Sequence, residues 1–349
     1  MKLKMGKTML CLFLMLAFCM VGLMAEGSQE DQNNQKEREV FVFKYGNQQP
    51  ESHSRTQSMI WFKKELEKRT DNRIIVEVYH SGTLGNEKEM FEMTVTGVLQ
   101  GYRGAFYDQL NSKFMIYNLP FLFRNYDEMI HFNSSKMAER LCQEGSVNGI
   151  YIPAVGYTGF RTIINRKSPI LNPEDLKGKK MRSPGQIAII NFYKLMGANP
   201  QEMSSSDVYM AMKQGVVDGA CSAATDVESY KWFEVGPYYT ELNYMAGADP
   251  LMVNNAWYQA LPNDLKEIFN QVSKEALALR DQMEKKASAD SVARISASSG
   301  VETIILADYP DVAAKWQKAC NPLWEEMVQQ GLFSWDDINE AQEIIDEVR

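Results

Sequence analysis

Apolar residues recur along this chain with two alternating periods. Over residues 39–45, Val40 and Val42 alternate with Phe41 and Phe43, a period of two that predicts a strand, and Gly46-Asn47-Gln48-Gln49-Pro50 ends it. From about Ser52 the period lengthens, with Met59, Phe62 and Leu66 on one helical face. A strand over 73–80, a helix over 87–96 and a strand near 98–106 follow. Strand, helix, strand, helix, strand predicts a parallel sheet covered by helices. A helix over 126–145 and a strand over 149–156 complete this first set. A second set begins near Gly159: strands over 160–165 and 179–182, helices over 186–196 and 206–214 stopped by Gly197 and Gly215, then a short strand over 216–219. Near heptad spacing of Leu265, Phe269, Val272, Leu279 and Met283 predicts one very long helix over 262–295. At 1.5 Å per residue it reaches roughly 50 Å, longer than one such domain is wide, so it should lie across two. A coiled-coil dimer is the competing reading, although Ala276 interrupts the stripe. A strand over 301–306 and two amphipathic helices end the chain, and no internal repeat is evident.

The first 27 residues depart from these rhythms. Three lysines precede an apolar run over 8–24 and the small residues of Ala25-Glu26-Gly27, the pattern of an export signal. The run is shorter than the ~20 residues a spanning helix needs, which disfavours a single membrane anchor. Lipidation at Cys19 stays open, but Phe18 stands where lipoprotein signals take a small residue. Residues 28–38 are polar and are expected to be a flexible leader. Past the signal no apolar run is long enough to span a membrane, so a soluble, extracytoplasmic (periplasmic) protein is expected. The 349 residues suggest two domains.

Charge narrows the partners. Setting aside the three lysines and one glutamate of residues 1–27 leaves 34 basic against 44 acidic residues, a balance of −10. That disfavours nucleic acid and anionic lipid, and an anionic ligand then needs a local basic site. Cys142, Cys221 and Cys320 remain past the signal, an odd number that leaves at least one unpaired, and no disulfide framework is expected.

One cation stands out. In Leu176-Lys177-Gly178-Lys179-Lys180-Met181-Arg182-Ser183-Pro184, Gly178 reads as a turn and Ser183-Pro184 as a stop, leaving too few residues for a helix. Arg182 thus falls at the carboxyl end of a short strand. That end faces the ligand crevice in open α/β sheets, where a guanidinium can grip a carboxylate through two parallel bonds. A surface arginine in a basic cluster is the bland alternative. Asn47 and Gln48 after the first strand, and Phe106 and Tyr107 after the third, stand where they could wall a pocket or serve as ordinary loop and core residues. Tyr209 is a weaker pocket candidate; Met210 and Trp232 read as core and Asp218 as the fix for a turn. The histidines His53, His80 and His131 show no metal-ligand spacing, and no metal or cofactor is expected.

Several stretches, in order, resemble the extracytoplasmic solute-binding proteins of tripartite ATP-independent periplasmic (TRAP) transporters, the C4-dicarboxylate-binding DctP type. Over 40–332 they are Gly82-Thr83-Leu84-Gly85, Leu119-Pro120-Phe121-Leu122-Phe123, Gly159-Phe160-Arg161, the Arg182 stretch, Gly197-Ala198-Asn199-Pro200 and Gln214-Gly215-Val216-Val217-Asp218-Gly219. The resemblance implies an α/β, two-lobe periplasmic-binding-protein-like fold with a hinge and a long helix spanning both lobes. Lobe I is expected over 39–157 plus 247–287 and lobe II over 158–246 plus 288–349. By the same resemblance Arg182 matches the arginine that forms a salt bridge with the ligand carboxylate, and Arg161 a second arginine that assists. Ser222 stands where the family often has asparagine; a hydroxyl offers one donor, so the third polar contact is remodelled or bridged by water. The implied partners are a small-molecule carboxylate and a TRAP permease with small and large integral membrane subunits; a monomer is expected. C4-dicarboxylate, sugar acid, keto acid and amino acid all stay open as ligands.

Two other classes compete. The chain has no G-x-S-x-G, no H-E-x-x-H, no phosphate-cradling glycine loop and no CxxC, so an extracytoplasmic hydrolase or lyase acting on carboxylates has nothing to select it. A sensor subunit presenting its ligand to a membrane receptor reads the same in sequence.

Overall fold

The computed structural model describes residues 39–349; the expected export signal over 1–27, the leader over 28–38 and Cys19 lie outside the described residues. Strand β1 (Phe41–Asn47) runs parallel to β2 (Ile74–Tyr79) and β3 (Gly101–Arg103) and lies between them. Parallel neighbours need a crossover, here the helices Ser54–Arg69 and Glu87–Thr96. After β4 (Ile150–Tyr151) the chain leaves this sheet through β5 (Val155–Tyr157). It then builds a second sheet from β6 (Arg161–Asn165), β7 (Lys180–Ser183), β8 (Asn199–Glu202), β9 (Gly219–Ala223) and β10 (Tyr238–Glu241). Strand β11 (Ala248–Pro250) carries it back and pairs antiparallel with β5, and β12 (Met252–Asn254) enters the first sheet between β3 and β4. Finally β13 (Glu302–Ile305) closes the edge of the second sheet against β10.

Both sheets are mixed, where the sequence pattern predicted a parallel one. In the first, β12 is antiparallel to β3 and β4; in the second, β6 is antiparallel to β9 and β10. The strands responsible are β12, of three residues, too short to carry a period, and β6, whose apolar run predicts a strand but not which way it runs. Two further expectations move. The helix foreseen over 126–145 breaks at Ser134-Ser135, because the Ser135 hydroxyl accepts from Ala138 N and starts a new helix, Lys136–Glu144. The strand foreseen over 216–219 begins only at Gly219, since Val216 to Asp218 are the connection.

The helix Asn263–Ser296 has 34 residues, roughly 50 Å at the helical rise. Its first half sends Leu265, Phe269 and Val272 into the core under the first sheet, where Phe269 meets Phe43 and Phe62 edge-on at 5.3 and 5.7 Å. Its far end sends Ile295 into a separate core with Ile164 of the second sheet and Val217 and Trp232 beside it. Of the stripe that suggested a coiled coil, Leu265, Phe269 and Val272 are taken up by the chain's own first core, and Leu279 and Met283 are half-buried. Between those ends the buried face turns polar, with Arg280, Asp281, Glu284 and Ser288. That segment passes the β5–β11 ladder, where the chain crosses between lobes. No helix among the described residues is long and apolar enough to cross a membrane.

Candidate functional site

Two arginines meet because β9 has neighbours of opposite direction. Arg161 in β6 lies opposite Ala223 of β9, antiparallel, and Arg182 in β7 lies opposite Ala220, parallel. Antiparallel pairing brings the first residue of β6 to the sheet edge where β7 and β9 end. Both guanidiniums thus line one cavity of about 50 Å3, together with Gln49, Glu87 and Tyr107 from the first lobe and Ser222 and Asp226 from the second.

Each arginine is nearly sealed from solvent. Arg182, 1% exposed, donates from Nε to the Met203 carbonyl at 2.9 Å and from Nη2 to Ser205 Oγ at 3.0 Å. Its guanidinium sits 5.9 Å over the Trp232 ring. Burial lowers its pKa; Glu87 opposes the shift and Arg161 adds to it. An arginine keeps its charge even so. Arg161 donates from Nη1 to the Cys221 carbonyl at 3.1 Å and reaches Gln186 Oε1 at 3.4 Å. Its Nε is buried with no hydrogen-bond partner among the described residues.

The acidic side of the cavity is as ordered as the basic one. Ser222 lies on β9 itself, and its hydroxyl donates to Asp226 Oδ2. Across the cleft, Gln49 Nε2 donates to Asp226 Oδ1 at 2.9 Å and His53 Nε2 stands 3.2 Å from the same oxygen. Burial alone would raise the Asp226 carboxyl, yet His53, Ser222 and Arg55 hold it well below the usual range. Glu87 opens the helix Glu87–Thr96, and burial raises its pKa against the pull of Arg55 and Arg182.

Of the residues expected from sequence, Arg161, Arg182, Ser222 and Tyr107 line this cavity. Asn47, Gln48, Phe106 and Tyr209 do not. Asn47 Oδ1 accepts from Gln49 N at 2.8 Å and Thr56 Oγ1 at 3.3 Å, so its amide closes the turn after β1. Gln48 packs its amide on Gly82, where a Cβ would come within 2.9 Å of Nε2. Phe106 has a left-handed φ of 75° that turns its ring onto Phe91 at 5.9 Å. Tyr209 donates to Glu234 at 3.1 Å on the outer side of the second lobe's core. Arg55, Gln49, Glu87 and Asp226 were missed. Gln49 is one residue beyond the pair chosen, and Asp226 sits in a helix of only six residues, too short to leave a pattern.

Two of the sequence motifs have other work. Gly159 has φ +89°, and a Cβ there would meet Glu284 Oε1 at 2.7 Å, so the position two before Arg161 favours glycine. In Leu119-Pro120-Phe121-Leu122-Phe123, the Pro120 carbonyl accepts from Trp324 Nε1 at 3.0 Å and Phe121 N donates to the Tyr244 carbonyl at 2.7 Å. That stretch is a structural corner away from the arginines.

Behind the cleft the crossing is tied by buried charge. Asp249 of β11, fully buried, is held by Arg103 and lies 3.2 Å from Arg55 and 3.7 Å from Arg280. Burial would raise the Asp249 carboxyl, and the arginines bring it well below the usual range. Glu284 accepts from Ser54 at 2.6 Å on one side and from Thr225 at 2.7 Å on the other. Asp281 accepts from Asn133 at 2.7 Å and from Tyr157 N at 3.2 Å, and burial pushes its pKa up to about 7. It also lines a second cavity, about 740 Å3, which opens beside the helix Lys136–Glu144 and has neither arginine in its wall.

Residues 45–330 match the family model of the bacterial extracellular solute-binding proteins, family 7, the DctP family. Over 265 residues the chain is 25% identical to the C4-dicarboxylate-binding periplasmic protein DctP of Vibrio cholerae serotype O1, covering 75% of this chain and 79% of that protein. Its fold is similar to a TRAP periplasmic solute-binding protein of Sulfurospirillum deleyianum with bound succinate, TM-score 0.81 and 25% identity, covering 87% of this chain and 99% of that one. It is similar too to one from Sulfitobacter sp. NAS-14.1 with bound β-D-galacturonate, TM-score 0.78 and 23% identity, covering 88% of this chain and all of that one.

Proposed function

The chain belongs to family 7 of the bacterial extracellular solute-binding proteins, the extracytoplasmic receptors of TRAP transporters, and from that premise we propose that Arg161 and Arg182 hold the carboxylate of its organic-acid ligand. The family consists of binding proteins and not of enzymes. The observation that carries the site assignment is the convergence of two buried guanidiniums on one interlobe cavity. A carboxylate there loses its hydration, and fixed donors of opposite charge must replace it. Arg161 Nε, without a partner among the described residues, is one such donor. Ser222 and Tyr107 complete the wall, with Gln49, Glu87 and Asp226 added by the geometry. The bound galacturonate and succinate of the similar structures, each an acid, support the same reading.

Both arginines belong to the second lobe, so the ligand gains its first-lobe contacts only when the lobes meet, and that difference drives closure. The division into 39–157 plus 247–287 and 158–246 plus 288–349 is likewise proposed. Strand membership supports it, whereas the last helix, Trp335–Asp346, lies against the first-lobe helix Tyr126–Asn133. The closed form then docks, as a monomer, on a permease of one small and one large membrane subunit, after export directed by residues 1–27.

Arg182→Lys replaces a planar fork by a point charge, and the expected loss of affinity for the ligand carried through native purification is about 2–4 kcal/mol. Titration calorimetry with circular dichroism as the control for folding measures it; unchanged affinity removes Arg182 from the site.

A further inference from the structure

The helix Ser54–Arg69 opens with a side chain that its own dipole disfavours. Arg55 is its second residue, no acid stands in the first turn, and a cation there meets the positive pole of the helix. A residue that breaks a local rule is expected to answer to a tertiary one. Arg55 is only 5% exposed and engages Asp249 through Nε alone, at 3.2 Å, while its Nη1 and Nη2 have no hydrogen-bond partner among the described residues. Asp249 does not depend on it, since Arg103 donates to the same carboxylate and Arg280 lies 3.7 Å away. Arg55 also lines the cavity that Arg161 and Arg182 line from the other lobe. Glu87 and Asp226 share that wall without accepting from Arg55; Asp226 takes its hydrogen bonds from Gln49 and Ser222. A buried guanidinium keeps its charge, and donors left unmet at that depth cost free energy until something accepts from them.

We propose that Arg55 is a third ligand-contacting arginine, supplied by the first lobe, and that its contact couples the bound acid to closure. The inference rests on the reading that Arg161 and Arg182 hold a carboxylate. Arg55 belongs to the helix between β1 and β2, so its Nη atoms meet the contents of the second lobe's half-site only when the lobes are together. A ligand oxygen that accepts from Arg55 favours the closed state by the whole of that contact, because the open state lacks it. Throughout, Nε stays on Asp249 of β11, the strand by which the chain returns from the second lobe, and this bond positions the fork.

Succinate, D-galacturonate, D-glucuronate and L-gulonate serve as probes, and crystals of the exported chain grown with each test the contact without altering a residue. An Arg55 Nη within about 3.2 Å of a ligand oxygen is expected. An acid held by Arg161 and Arg182 but beyond hydrogen-bond reach of Arg55 overturns this proposal alone. An acid bound away from Arg161 and Arg182, or none of the four bound, overturns the carboxylate reading together with it. Titration calorimetry then uses the tightest of the four. Arg55→Lys keeps a charge near Asp249 and loses the fork, and binding is expected to weaken by about tenfold or more. Arg103→Lys disturbs the same Asp249 from outside the cavity wall and should weaken binding far less; equal losses in the two variants mean that the effect runs through Asp249, and the proposal falls. Small-angle scattering at saturating acid is expected to show a smaller contraction in Arg55→Lys than in the wild type, and an equal contraction overturns the coupling to closure.

Discussion

At the scale of single residues, the charges of this protein divide into those that face the cleft and those that tie the lobes together, and Asp281 belongs to the second kind. Burial raises its carboxyl from the ordinary 3.8 to about 7. Between those values the folded chain keeps a proton that the unfolded chain has lost. The stability this group contributes is therefore full below about pH 4, falls as pH rises to about 7, and is level beyond it. Asp281→Asn keeps the shape without the titration. The unfolding free energy of the wild type minus that of Asp281→Asn, from urea melts, is expected to decline from pH 4 to pH 7 and then flatten; a level difference across that window refutes the assignment. Arg182 was legible in sequence because a turn and a proline framed it on a strand end. Asp226 and Glu87 were not, because an acid on a helix reads as solvated surface until its tertiary neighbours are known.

At the scale of elements, legibility followed length. The helices Ser54–Arg69 and Glu87–Thr96 and the 34-residue helix carry enough turns to print a period, and they fall where the pattern put them. The three-residue strands β11 and β12 print none, and the run that marks β6 does not say which way it goes, so both the mixed sheets and the return crossing went unseen. The antiparallel course of β6 matters most for function, since it alone brings Arg161 to the edge where Arg182 ends. Gly159, two residues before Arg161, holds a left-handed backbone where the chain enters β6. Gly159→Ala forces a side chain into a left-handed backbone and against Glu284, an expected cost on the order of 1–3 kcal/mol. Denaturant midpoints test it, and an unshifted midpoint would show that the turn relaxes freely.

At the scale of the whole molecule, the cavity of about 50 Å3 is far below the ~300 Å3 at which ligand pockets usually begin, so a ligand has to enter with the lobes apart. Direct contacts span the cleft: Gln49 and His53 on Asp226, and Tyr230 on the Gln48 carbonyl at 3.0 Å. Small-angle scattering is expected to give a smaller radius of gyration with ligand than without; superimposable curves would exclude hinge motion. The long helix is one continuous rod, gripped by one core at each end. A rod of that kind has a phase as well as a length. One alanine inserted between Leu277 and Ala278 would turn everything beyond it by about 100° and advance it 1.5 Å. Phe269 would keep its place, but Glu284 would swing away from both Ser54 and Thr225. Each lobe would then be sound and the pair mistimed, like two gears keyed one tooth apart on a common shaft.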